Sequence, residues 1–133
     1  MKDFKVVSLF SGCGGLDWGW HELGASVVFA NDFNKMACES YRLNYEKFRG
    51  VECNHLHEGD INKLWKKIPN DIDVLLAGAP CQSWSLMGAR KGFEDDRGDL
   101  FLKTIDIVKE KRPIFFIFEN VAGLLSHDNG ESL

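Results

Sequence analysis

The sequence has no apolar run approaching membrane-spanning length, and its charged start, Met1-Lys-Asp-Phe-Lys5, lacks the apolar segment of a secretory signal. Its four cysteines, at the irregularly spaced positions 13, 38, 53 and 81, make neither a disulfide framework nor a pair of Cys-x-x-Cys zinc knuckles. Free thiols in a reducing compartment follow. Nor is there an excess of positive charge: 16 Lys and Arg against 20 Asp and Glu leave a net charge of -4. Phosphate binding draws on clustered Lys and Arg, so the charge argues mildly against a nucleic-acid function, and a basic surface in a part of the protein outside this chain is one answer to it. With these classes set aside, 133 residues that are 44% hydrophobic and 27% charged are one domain's worth of an ordinary globular protein.

The most informative stretch is Asp73-Val-Leu-Leu-Ala-Gly-Ala-Pro-Cys81-Gln-Ser-Trp-Ser85. An apolar run after Asp73 suits a strand covered on both faces, and Gly78 and Pro80 are the punctuation that ends it. Cys81 is thereby delivered just past a strand's carboxyl end, the edge of an open α/β sheet where ligands bind. A lone cysteine is more often a small buried apolar residue. The balance changes because the other unusual patches also fall at strand ends.

Lys5 to Phe10 reads as a strand that stops at Ser11-Gly-Cys-Gly-Gly15, followed by a helix with Leu16, Gly19, Trp20 and Leu23 on one side. The glycines permit close approach of backbone to a ligand, and a helix amino end favours electron-rich groups. Their spacing is not the Gly-x-Gly-x-x-Gly of dinucleotide binding. Ala25 to Ala30 is a second strand ending at Asn31-Asp32-Phe33. An acid there suits ribose hydroxyls, with Phe33 as a rest for a base, although Asp32 or Asn34 also suits the cap of a helix from Lys35 to Asn44.

Tyr45 to Glu58 is irregular, with an edge strand at Val51 to Leu56 before Gly59-Asp60-Ile61. Cys53, His55 and His57 alternate on one strand face, but no second ligand cluster completes a metal site, and surface polar residues are the better reading. Asn62 is expected to cap a short helix to Lys67. Gln82 to Asp99, glycine-rich and charged with Arg90, Lys91 and Arg97, has the character of a lid or binding loop. A helix from Leu100 to Lys111, with Leu100, Phe101, Ile105 and Val108 inward, leads to the apolar strand Ile114 to Phe118, which ends at Glu119. A carboxylate directly after a buried run, on the strand next to Cys81, suits catalysis better than capping.

Taken together and in order, Phe10-Ser-Gly-Cys-Gly-Gly15, Asn31-Asp32, Gly59-Asp60-Ile61, Pro80-Cys81-Gln82, Arg97-Gly-Asp-Leu-Phe101 and Glu119-Asn120-Val121 resemble the motifs of the DNA cytosine-5 methyltransferases across nearly the whole chain. The resemblance implies a Rossmann-like α/β three-layer sandwich, its mostly parallel sheet ordered 3-2-1-4-5. It implies S-adenosyl-L-methionine held by Phe10, Gly12, Gly14, Gly15, Leu16, Asp32, Phe33, Asp60, Ile61, Pro80 and Leu100, with Asp32 on the ribose and Asp60-Ile61 at the adenine. Cys81 becomes the nucleophile that adds to cytosine C6, and Glu119 the acid that holds N3. Gln82, Ser85, Arg97, Asn120 and Val121 are expected to handle the substrate or close over it.

The family continues with a further arginine motif, a target-recognition domain and a segment that completes the sheet, all beyond residue 133. The single domain 1–133 is therefore expected to be the amino-terminal part of a truncated or split enzyme, inactive alone. Its last strand is expected to pair with the carboxyl-terminal half or with a second copy, and double-stranded DNA is the expected partner of the whole. A cytoplasmic, nucleoid-associated and prokaryotic setting goes with that reading. A tRNA cytosine-5 methyltransferase relative shares the same chemistry, and a non-catalytic cofactor-binding subunit is the rival of a different kind. Intact Cys81 and Glu119 speak against the latter.

Overall fold

The computed structural model describes residues 3–50, 52–80 and 96–122, with side chains from Leu100 onward in the last segment. Five parallel strands, β1 (Lys5–Leu9), β2 (Ser26–Asp32), β3 (Leu56–Glu58), β4 (Val74–Ala77) and β5 (Phe115–Phe118), pair in the order β3-β2-β1-β4-β5. This is the expected order. Four helices make the crossovers: α1 (Gly15–Glu22), α2 (Lys35–Arg49), α3 (Ile61–Leu64) and α4 (Asp96–Lys111). Right-handed crossovers place α1 and α2 on one face and α3 and α4 on the other.

The continuous apolar runs of the central strands have the cause anticipated for a doubly covered sheet. Val6, Val74 and Leu76 point into one core with Cys38 and Tyr41 of α2. Their neighbours Val7, Leu75 and Ala77 point into the other, with Phe29, Ile61, Ile68 and Ile107. β1 and β4 thus supply both cores by simple alternation. Among the described residues, no helix is long and apolar enough to cross a membrane.

Several elements depart from the sequence reading. α2 continues past Asn44 to Arg49, and β3 is correspondingly later and shorter than Val51 to Leu56. Gly50, at φ 66, is the left-handed residue that ends α2. Asn34 caps α2, its side chain accepting from Ala37 N at 3.1 Å. At α3 the cap is Asp60 rather than Asn62, because Asp60 Oδ1 accepts from Asn62 N at 2.9 Å. α4 begins at Asp96, so Arg97 to Asp99 belong to a helix instead of the anticipated loop.

The inward face of α4 carries the expected residues, with Phe101 buried and Leu100, Ile105 and Val108 half-buried against the cores, and it is wider than expected because Thr104 and Ile107 are more deeply buried still. Thr104 tolerates burial because its Oγ1 donates to Leu100 O at 2.8 Å. Lys111 closes the helix with its stem buried and its ammonium donating to Ile68 O and Asn70 Oδ1, both at 2.7 Å. In α1 the buried residues are Asp17 and His21, Trp20 of the expected apolar side packs half-buried against the core, and Leu16 and Leu23 are exposed. At the sheet edge Ile114, Phe115, Phe116 and Ile117 of the β5 segment are exposed as well.

Candidate functional site

The carboxyl ends of the strands converge on one side of the molecule. β1 ends at Leu9, Phe10 follows it as a non-glycine residue at φ 56, and the chain then turns through Gly12 at φ 56 and Gly14 at φ 95. These left-handed values are the reason for glycine at both later positions. The turn is tied to the end of β2, with Ser11 N donating to Asn31 O at 2.9 Å and Gly12 N to Asp32 Oδ2 at 2.8 Å. No described side chain caps α1, which begins immediately after Gly14.

Asp32 is fixed from two sides, because its Oδ1 also accepts from Asn34 N at 2.8 Å. With Asn34 serving as the helix cap, each Asp32 oxygen engages one backbone donor and keeps lone-pair capacity for another. Asn31, fully buried, donates through Nδ2 to His57 O at 2.8 Å and Gly59 O at 2.9 Å. That side chain stitches the end of β2 to the segment carrying Asp60. Asn31 is thus a positioning residue whose role only the tertiary pairing reveals.

Between these ends lies a cavity of about 460 Å³. Phe10, Asp32, Phe33, Asp60, Ile61, Pro80 and Leu100, all candidates from the sequence, line it together with Asn31, Asn34, Gly59 and Gly78. Apolar walls with a few convergent polar groups are the usual makeup of a small-molecule site. Gly12, Gly14, Gly15 and Leu16 are not among its lining residues. Gly12 reaches the site through Asp32, while Gly14 and Gly15 border a separate hollow with Trp18, Asn44 and Phe48.

By sequence Gly78 is only strand punctuation. In the fold it is a meeting point, since a Cβ built there would lie 3.6 Å from Leu16 Cδ1 and 3.8 Å from both Glu119 Oε2 and Phe10 O. Glu119 reaches this spot because its backbone N donates to Ala77 O at 2.9 Å, continuing the β4–β5 ladder by one residue. Asn120 Oδ1 accepts from Val121 N at 2.8 Å, and its Nδ2 is buried with no partner among the described residues. Val121 packs beside Phe101. Cys81, Gln82 and Ser85 lie outside the described residues, as do the side chains of 96–99.

The remaining thiols and histidines have other surroundings. Burial pushes the thiols of Cys38 and Cys53 up, away from the reactive thiolate. Burial also lowers the pKa of His55 to about 4, and its Nε2 lies 3.0 Å from the Tyr41 hydroxyl. His57 instead stacks on Phe29, ring centroids 4.6 Å apart. Cys53, His55 and His57 therefore do not share one strand face, since only His57 lies within β3.

The sheet order, the glycine turn after β1 and a cavity over the carboxyl ends of β1 to β4 define the Rossmann-like fold of the methyltransferases. Two solved structures share it over 97% of this chain: the *S. pombe* Dnmt2 methyltransferase (TM-score 0.68, 26% identity, 39% of that chain covered) and a putative DNA modification methyltransferase of an *E. coli* prophage (TM-score 0.70, 29% identity, 35% covered). The sequence matches the C-5 cytosine-specific DNA methylase family over residues 4–133, and the chain belongs to that family. Its relatives include the type II methyltransferase M.NgoPII of Neisseria gonorrhoeae, 44% identical over 92% of this chain and 35% of the relative. M.HhaI of Haemophilus parahaemolyticus is 40% identical over 100% of this chain and 38% of its own length. The orphan methyltransferase M.Rho11sI of Bacillus phage rho11s is 42% identical over 100% of the chain and 26% of its own length. The chain thus spans between about a quarter and two fifths of these relatives.

Proposed function

We propose that the chain is the cofactor-binding and catalytic part of an enzyme that methylates C5 of cytosine in DNA, with S-adenosyl-L-methionine as the methyl donor. The observation that carries this reading is the approach of the Glu119 carboxylate to Gly78, a residue that lines the cavity together with the Asp32 carboxylate. The cavity fits the cofactor in size and chemistry. Asp32 retains acceptor capacity for ribose hydroxyls, Asp60 is an acceptor for an adenine amino group, and Phe33, Ile61 and Leu100 offer apolar surface to the ring. When bound, the cofactor supplies an electrophilic methyl group.

The protein's own residues then have separate tasks. Cytosine C5 is a poor nucleophile until the Cys81 thiolate adds to C6 while Glu119 supports protonation at N3, which places electron density on C5. Once C5 has taken the methyl group, with S-adenosylhomocysteine as the leaving group, loss of the C5 proton to a base, elimination of the thiolate and return of the N3 proton to Glu119 would restore the aromatic ring and free Cys81. The base must leave the duplex to reach both groups. Residues from Gln82 to the start of α4 are suited to closing over it, with Ser85, Arg97, Asn120 and Val121 at the substrate.

The carboxyl-terminal part found in the relatives would supply target recognition, most of the basic surface and cover for β5. The exposed apolar residues of that edge strand support this, because such an edge is a template for pairing. A cytoplasmic location on the cell's DNA is part of the same proposal. Tritium transfer from labelled cofactor tests it. The full-length protein should label DNA, and residues 1–133 alone should not. Labelling of tRNA but not DNA would replace the substrate assignment, and no labelling of either would reject the activity.

Asp32→Ala should weaken binding of the demethylated cofactor to the full-length protein by about 1 to 3 kcal/mol, through lost charge-assisted hydrogen bonds. The same change frees Gly12 N and Asn34 N. Calorimetry showing unchanged affinity would refute the ribose assignment.

A further inference from the structure

Behind the glycine turn, on the face opposite the α3/α4 layer, the buried stripe of α1 is polar. Ser8 Oγ of β1 donates to Asp17 Oδ1, and the Tyr41 hydroxyl of α2 donates to Asp17 Oδ2 at 2.6 Å. The single phenolic proton is thereby committed to the carboxylate. His55 Nε2, 3.0 Å from the same hydroxyl, must therefore be the donor in that contact, which fixes the neutral Nε2–H tautomer. Burial pushes the Asp17 carboxyl up, while the Ser8 and Tyr41 hydroxyls pull it back.

The Tyr41 ring also forms the floor under the turn. A Cβ on Gly14 would lie 3.2 Å from both Cδ2 and Cε2 of that ring, closer than ordinary van der Waals contact. The arrangement is a closed clamp: Gly14 opens α1, α1 carries Asp17, Asp17 holds the Tyr41 hydroxyl, and the Tyr41 ring returns to Gly14. Through His55 the clamp continues to the start of the third strand, because His55 O accepts from Ala30 N at 2.8 Å just before β3. An apolar residue at position 17 would satisfy the burial of α1 with no charge to desolvate. A buried carboxylate with two hydroxyl donors instead specifies one geometry.

We infer that Asp17 and Tyr41 are positioning residues for the cofactor, holding the glycine turn at the height at which Gly12 N meets Asp32. They act through Gly14 and touch no cofactor atom themselves, and the inference rests on the cofactor site proposed above. The turn meets the cavity through Asp32, bonded to Gly12 N, so its far side over the Tyr41 ring needs a rigid support.

The test uses full-length protein, calorimetry with S-adenosylhomocysteine and steady-state kinetics. Tyr41→Phe keeps the ring and removes the hydroxyl. It should raise the dissociation constant and the cofactor KM by about 3- to 30-fold, with kcat at saturating cofactor falling much less and the KM for DNA unmoved. Asp17→Ala is the second variant, and the double variant should be no weaker than the weaker single one, because both remove the Tyr41–Asp17 contact. A purely structural role would lower the unfolding temperature and leave cofactor affinity unchanged in both variants, and that result overturns the inference. Wild-type protein that fails to bind S-adenosylhomocysteine would overturn the cofactor site itself, so the two failures are distinguishable.

Discussion

Replacing Cys81 with serine should abolish methyl transfer by the full-length protein, lowering turnover by about a thousandfold or more, as expected for removal of a covalent nucleophile. The buried run of β4 ends at Ala77, and Pro80, the residue bonded to Cys81, lines the cavity. A thiol ionises within reach of neutral pH, particularly near a helix amino end or a cation, whereas a serine hydroxyl does not without a dedicated base. The substitution changes one atom. Affinity for S-adenosylhomocysteine should therefore stay within about twofold of wild type, since a neutral exchange leaves no charge unpaired. Serine-variant protein that methylates at more than a tenth of the wild-type rate would remove Cys81 from the mechanism.

Glu119→Gln should slow transfer by about 10²- to 10⁴-fold, the range for loss of a general acid. Glutamine preserves the shape of the side chain and the backbone link from residue 119 to Ala77 O, 2.9 Å in length. What it removes is the proton exchange at N3. Glu119 is not among the residues that line the cavity, so cofactor binding should persist and the loss should fall on kcat. An equal loss in cofactor affinity and turnover would mean that Glu119 supports the pocket rather than the reacting base. Wild-type turnover would mean that another group assists N3.

The parts of this architecture that could be read from the sequence are those whose signals are local. Val74 to Ala77 is uninterrupted and apolar because both faces of β4 are buried, and Gly78 and Pro80 follow at once. Asp32 follows a strand and a glycine turn, a spacing with a direct physical meaning. The motif order across nearly the whole chain supplied the sheet order in advance. Signals that depend on partners distant in sequence were misread. Asp17 and His21, four residues apart on α1, lie outside the helix side read as apolar, and Ser8 and Tyr41 make the burial of Asp17 tolerable.

The misplaced helix ends have simpler causes. The continuation of α2 to Arg49 was signalled by Lys47 and Arg49 in its last turn and by Gly50 after it, a dipole-compatible end that the irregular sequence around it obscured. In α4 the apolar periodicity starts at Leu100 and Gly98 interrupts the turn before it, so the helix start at Asp96 carried no hydrophobic signal. The role of Gly78 as the point where Leu16, Phe10 and Glu119 meet is a tertiary fact. A glycine after a strand announces a turn, and nothing in the residues around it announces what will face it.

Covalent trapping is the most direct measurement on the central assignment. Full-length protein would be incubated with a DNA duplex containing 5-fluorocytosine at the target position, in the presence of S-adenosyl-L-methionine, then digested and the adduct mapped by mass spectrometry. Fluorine at C5 blocks the elimination that releases the enzyme, so the thioether at C6 persists. The account predicts a cofactor-dependent adduct on the peptide that carries Cys81, absent from the serine variant. An adduct mapped to Cys13, Cys38 or Cys53, or methylation of cytosine without any trapped species, would contradict it.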